Sequence, residues 1–205
     1  MTELYLASKA SNVFQDILKR LNKKAIKCKV LFISTASNVC EDKEFINKDF
    51  QVLKNAGFKV INLDIAKEKK SEITRLFNNS DIVFFAGGNT FYLMQEIRKK
   101  RILGFIRNKI KQDLSYIGSS AGAAIVCPTI AYVKDIDDLK KAPNLTSFNG
   151  LNSIRALIVP HKNDLYIKSK INSIKKKFPR YEIICLEDDE YVEIKNGILT
   201  KREIL

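Results

Sequence analysis

The run Gly118-Ser119-Ser120-Ala121-Gly122 puts a serine where it can act as a nucleophile. Apolar Tyr116-Ile117 leads into it and small Ala123-Ala124 follows, so Ser120 falls on a turn between a strand and the start of a helix. Gly-x-Ser-x-Gly in that setting holds its serine in a strained turn, and small neighbours let strand and helix approach closely. The N–H of Ala121, next along the chain, is then aimed at an oxyanion developing on an attacked carbonyl. This is the equipment of acyl transfer.

A serine hydroxyl needs a base to take its proton. The chain has one histidine, His161, in Val159-Pro160-His161-Lys162, just past another apolar run. Ser120 and His161 therefore share the same kind of strand end, which is what a serine–histidine pair requires. A third, acidic group must orient the imidazole and stabilise its cation. Two clusters offer one: Asp135, Asp137 and Asp138, or Glu187, Asp188, Asp189 and Glu190. The second follows a strand ending at Leu186 and is the favoured source. One unit upstream of Ser120, Ala86-Gly87-Gly88-Asn89-Thr90 also ends an apolar run and opens a helix. Gly88 there can bring a second backbone N–H close to a substrate, and Asn89 or Thr90 can cap the helix. The same residues equally fit a tight turn with a cap.

These groups need elements that hold them together. Val30-Leu31-Phe32-Ile33, Ile82-Val83-Phe84-Phe85 and Ala156-Leu157-Ile158-Val159 are continuous apolar runs, as expected of strands buried on both faces of a parallel sheet. Leu4-Tyr5-Leu6-Ala7 reads as a first strand, and Val60-Ile61-Asn62-Leu63 as another. Between the runs lie amphipathic stripes: Val13, Ile17 and Leu21; Ile46, Phe50 and Leu53; Ile73, Leu76 and Phe77; Ile167, Ile171 and Ile174. Alternating strands and helices predict one α/β domain over residues 1–205, a mostly parallel sheet with helices on both faces. The strands at 30–34, 82–86, 115–118 and 156–160 are expected to be neighbours, with the loops of Gly88 and Ser120 at one end. The stretch 128–153 lacks periodicity and reads as loop, and Lys195-Asn196-Gly197-Ile198 reads as a hairpin turn.

Composition narrows the classes. With 205 residues, 45% hydrophobic and 29% charged, the chain is globular in character. No apolar run reaches the ~20 residues that span a bilayer, and the basic start of a secretory signal is absent. The four cysteines have no metal-like spacing, so a reducing cytoplasm, no metal and no cofactor are expected. The net charge of +13 comes mostly from dispersed lysines; clusters such as Lys175-Lys176-Lys177 read as solvated helix faces, and no nucleic-acid partner is expected.

At these residues the sequence resembles the dipeptidase E family, serine peptidases known as aspartyl dipeptidases. The matching pieces are Leu4-Tyr5-Leu6-Ala7-Ser8, Ile33-Ser34-Thr35-Ala36-Ser37, Ala86-Gly87-Gly88-Asn89-Thr90, Gly118-Ser119-Ser120-Ala121-Gly122-Ala123, Pro160-His161 and Leu186-Glu187-Asp188. The resemblance implies a flavodoxin-like sheet akin to class I glutamine amidotransferases, with Ser120 standing where those enzymes carry cysteine. It further implies Ser120 as nucleophile, His161 as base, Gly88 and Ala121 as oxyanion donors, Asn89 and Thr90 in the substrate-binding loop, and Asp188 as the triad acid. Glu187 and Asp135 stay as the other candidates for that acid. The arginine that the aspartyl dipeptidases place after the histidine has no counterpart between His161 and Arg180, where Lys162, Lys168 and Lys170 stand instead. The expected activity is hydrolysis of short peptides through an acyl-enzyme, without an exclusive requirement for an acidic residue, by a monomer or homodimer. The contrasting expectation is a non-catalytic binding protein on the same scaffold, engaging an anionic partner.

Overall fold

The computed structural model describes residues 3–22, 28–112 and 114–204. Its centre is a seven-stranded sheet built from β1 (Glu3–Ala7), β2 (Lys29–Ile33), β3 (Lys59–Leu63), β4 (Ile82–Phe85), β5 (Ser115–Ser119), β8 (Glu190–Lys195) and β9 (Ile198–Glu203), in the order β3-β2-β4-β5-β1-β8-β9. The first five of that order run parallel; β8 is antiparallel to β1, and β9 to β8. This is a doubly wound sheet whose fifth parallel position is filled by the chain's first strand.

The continuous apolar runs arise because both faces of the sheet are covered. Leu31, Ile33, Val83, Phe85 and Tyr116 enter one core, while Val30, Phe32, Ile82, Phe84 and Ile117 enter the other. Side chains alternate across a strand, so a strand buried on both sides must be apolar at every position. Helices α1 (Ala10–Arg20) and α2 (Glu44–Asn55) close the second core through Val13, Phe14, Ile17 and Leu53. The first core is closed by α3 (Lys70–Asn78), α4 (Thr90–Lys99), α5 (Leu103–Lys111), the single turn α6 (Ala121–Ala124) and α7 (Leu165–Lys177). Each large apolar side chain buried this way contributes roughly 1.5–3 kcal/mol.

One expectation is corrected. The run at 156–160 does not join the central sheet: β6 (Leu157–Val159) pairs in parallel with β7 (Ile183–Cys185) in a separate two-stranded sheet. The edge of β5 that it was expected to border is taken by β1. The free edge of β6 is satisfied by side chains, with Tyr132 Oη donating to Ile158 O at 2.5 Å and Ile158 N–H meeting Cys127 Sγ at 3.3 Å. The segment 128–153 holds two short 3₁₀ turns, Ala131–Asp135 and Leu139–Lys141, and otherwise irregular chain. The hairpin between β8 and β9 turns through Asn196 and Gly197, both at positive φ (52° and 81°), as tight hairpins of this type require.

Candidate active site

The carboxyl ends of β1, β4 and β5 meet the carboxyl end of β6 around one cavity of about 660 Å³, lined by Ser8, Gly88, Asn89, Ser120 and His161 among others. Ser120 follows β5 directly and has φ 51° and ψ −106°, a sparsely populated conformation for a residue with a side chain. Several contacts impose it. Ser120 N–H donates to Ala7 O at 2.9 Å, and the N–H groups of Ala123 and Ala124 return to Ser120 O at 2.9 and 3.0 Å. Gly122 lies so close to β4 that a Cβ there would stand 2.1 Å from Phe85 O, which explains the small residue two places after the serine.

His161 caps the end of β6, also at positive φ (60°). Its Nε2 stands 2.9 Å from Ser120 Oγ, and its Nδ1 stands 2.7 Å from Asp188 Oδ1. Asp188 is held in turn: Ser8 Oγ donates to Oδ1 at 2.9 Å and Lys9 Nζ contacts Oδ2 at 2.6 Å. Burial acts to raise the Asp188 carboxyl, but the bonds from Lys9, His161 and Ser8 outweigh it and bring its pKa down to about 2. With that carboxylate ionised, Nδ1 carries the proton that faces it, and the Nε2 lone pair of a neutral ring faces the serine hydroxyl. Ser8 Oγ also accepts from His161 N–H at 2.8 Å, so one hydroxyl fixes both the histidine backbone and its acid.

The other acids lie elsewhere. Glu187 pairs with Lys162 at 2.8 Å, and Asp135 with Lys177 at 2.7 Å.

The glycine loop brings a second donor. Gly88 has φ 132°, and a Cβ there would stand 2.3 Å from the backbone of Ala36. Neighbouring amides are engaged within the protein: Asn89 N–H with Ala36 O at 2.9 Å and Thr90 N–H with Asp137 Oδ2 at 2.8 Å. Those of Gly88 and Ala121 have no such partner among the described residues. Asn89 lines the cavity, but its side chain is used structurally: Oδ1 caps α4 by accepting from Tyr92 N–H at 2.9 Å, and Nδ2 donates to Asp138 O at 2.9 Å. Thr90 is buried and begins α4, contributing its backbone N–H to Asp137 and no cavity surface.

Ser8, Lys9, Phe45, Asp49 and Asp137 also belong to this cavity; Lys9, Phe45 and Asp49 went unrecognised in the sequence, where Ser8 stands only in a matching run and Asp137 only among the acids that could complete a triad. Ser8-Lys9 follow an apolar strand, the same signal that marked Ser120 and His161. Phe45 and Asp49 sit on α2, where the charged pattern suggests a solvated helix.

The arrangement is a serine hydroxyl, an imidazole and a carboxylate in hydrogen-bonded series, with two backbone donors alongside. Relatives match along nearly the whole chain. The model of peptidase family S51 covers residues 4–202. An uncharacterized peptidase of Listeria monocytogenes is 34% identical over 207 residues, covering 98% of this chain and 99% of that one. A peptidase E of Nostoc sp. is 27% identical over 208 residues, covering 98% of this chain and 82% of that one. The crystal structure of a protein from Listeria monocytogenes EGD-e described as a peptidase E superposes with a TM-score of 0.93 at 32% identity, over 100% of both chains. The chain belongs to peptidase family S51 and is a serine peptidase.

Proposed function

We propose that the protein hydrolyses short peptides with a free amino terminus, in the manner of a dipeptidase, through Ser120, His161 and Asp188. The observation that carries this reading is the 2.9 Å approach of His161 Nε2 to Ser120 Oγ at a strained turn. Ser120 Oγ attacks the carbonyl carbon of the scissile bond as His161 Nε2 takes its proton. The electron pair of the carbonyl moves onto oxygen, and the N–H groups of Gly88 and Ala121 hold that oxyanion. Collapse of the intermediate expels the amine, which receives the proton from His161 and leaves an ester on Ser120. Water, deprotonated by His161, then attacks the ester and releases the acid. Asp188 keeps the imidazole oriented and balances its transient charge. The full described chain acts as one catalytic domain in this reading.

The test is covalent labelling by a fluorophosphonate together with hydrolysis of a dipeptide library. Wild type should label and turn over; Ser120→Ala should do neither while keeping its melting temperature within a few degrees. Absence of labelling in wild type at saturating probe overturns the mechanism and leaves the scaffold as a binding protein.

A further inference from the structure

The chain is strongly basic, with a net charge of +13, yet the cavity that holds Ser120 is acidic. Its charged lining is Asp42, Glu44, Asp49 and Asp137 against Lys9 and Lys48. Both lysines already have anionic partners: Lys9 Nζ stands 2.6 Å from Asp188, and Lys48 Nζ stands 2.8 Å from Glu44. Among the described residues, no arginine lines the cavity. Arg155 and Arg180, which follow His161 or closely precede it in sequence, line a different hollow together with Arg107. Lys162 is held by Glu187 at 2.8 Å, and neither Lys168 nor Lys170 is among the lining residues. Among the described residues, the lining therefore offers no arginine and no lysine without an anionic partner to grip a carboxylate side chain.

The unpaired carboxylates are placed to do the opposite. Asp137 accepts from Thr90 N–H at 2.8 Å, within the loop that carries Gly88, and lies close enough to His161 for their charges to interact. Asp49 is 3% exposed and accepts from Ser11 N–H at 2.9 Å. Burial pushes both carboxyls up, Asp49 to about 6, and what opposes it is hydrogen bonding, plus His161 in the case of Asp137; no lysine or arginine offsets either. Lys43 and Lys141 act on the nearby Cys40 thiol, but both are exposed and outside the lining. A cation entering the cavity gains two partly desolvated partners, whereas an anion meets like charge where screening is weak.

We infer that this site selects peptides whose acyl-donating residue carries a positive charge and discriminates against an acidic one, with Asp137 as the carboxylate that reads the cation. The inference rests on the peptidase reading of this cavity and sets its substrate class apart from that of the aspartyl dipeptidases.

Binding is measured apart from turnover. Calorimetry on Ser120→Ala with Lys-Leu, norleucyl-Leu and Asp-Leu should give Lys-Leu at least tenfold tighter binding than Asp-Leu, with norleucyl-Leu between them. In Ser120→Ala carrying Asp137→Asn, which keeps an acceptor for Thr90 N–H, the gap should shrink at least threefold. Asp-Leu binding as tightly as Lys-Leu, or no Lys-Leu binding at millimolar concentration, overturns the inference. Hydrolysis of norleucyl-Leu by wild type decides the catalytic reading separately. Turnover without cation preference sinks only the substrate class; cation preference without turnover sinks only the mechanism.

Discussion

Replacing Asp49 with asparagine should stabilise the protein, and only above the pH at which the carboxyl ionises. Asp49 lies on α2 with 3% exposure, accepting from Ser11 N–H at 2.9 Å at the start of α1. Burial raises its pKa from an ordinary 3.8 to about 6, against the opposing bonds from Ser119 and Ser11. A carboxyl whose folded pKa exceeds its unfolded one adds stability that is complete below about pH 4 and is lost as pH rises through about 6. The gap of about 2 units, at ~1.36 kcal/mol each, makes ionised Asp49 a burden of up to ~3 kcal/mol near pH 7.5. Asparagine is nearly the same shape, keeps an acceptor for Ser11 and carries no charge. Allowing for an imperfect fit of its amide, Asp49→Asn should gain roughly 1–3 kcal/mol at pH 7.5, a rise of about 2–4 °C in Tm per kcal/mol for a chain of this size. At pH 3.5, where Asp49 is mostly protonated in both the folded and the unfolded state, the two proteins should melt within about a degree of each other. Urea unfolding at both pH values with a shared slope measures it. An equal difference at the two pH values, or a less stable variant at pH 7.5, refutes the argument that the buried charge is the cost.

Four further outcomes follow from the site. Asp188→Asn should lower kcat by roughly 10²–10⁴-fold, because an amide permits the wrong imidazole tautomer; kcat within twofold of wild type would remove Asp188 from its role. Since the Asp188 pKa is depressed to about 2, its contribution to stability is present above about pH 4 and fades as pH falls through about 2; acid titrations of wild type and variant should therefore converge only below that window. Gly88→Ala drives a Cβ to within 2.3 Å of the Ala36 backbone at a positive φ, so the loop must shift, with a loss of ~1–3 kcal/mol in stability and at least ~100-fold in kcat; an active, equally stable variant would show that the oxyanion lies elsewhere. Ser8→Ala removes the hydroxyl that bonds both Asp188 and His161 N–H at 2.9 and 2.8 Å, and should cost ~1–2 kcal/mol along with a tenfold or larger fall in kcat at unchanged KM.

The sequence carries the fold well where one pattern has one physical solution. A run such as Val30–Ile33 is apolar at every position because two layers cover it, and Gly118–Gly122 is punctuated by glycine because Gly118 abuts the Gly122 and Ala123 backbone while Gly122 nearly touches Phe85 of β4. It carries less where a pattern is compatible with two solutions. Leu157–Val159 is as apolar as a central strand, yet nothing local says that its partner is Ile183–Cys185 rather than β5. Among the four acids Glu187–Glu190, composition cannot say which faces His161; the answer lies in the turn, which sends Glu187 to Lys162 and Asp188 inward. Asp49 is the hardest kind of residue to find. An acid between Lys48 and Phe50 looks solvated until α2 is packed over the start of α1.

The insertion of β1 between β5 and β8 bears on how the protein is made. Ser8 bonds Asp188 across 180 positions of sequence, and β1 cannot be zipped on its second edge until Glu190–Lys195 has been synthesised. Contacts this distant close late, because the entropy of the intervening loop must be overcome first. A ribosome-bound chain therefore carries Ser120 and His161 for some time without the acid that completes their series. In that interval Ser120 and His161 exist without the carboxylate that faces the imidazole, so the pairing of Glu190–Lys195 with β1 is also the event that brings Ser8, Asp188 and His161 together.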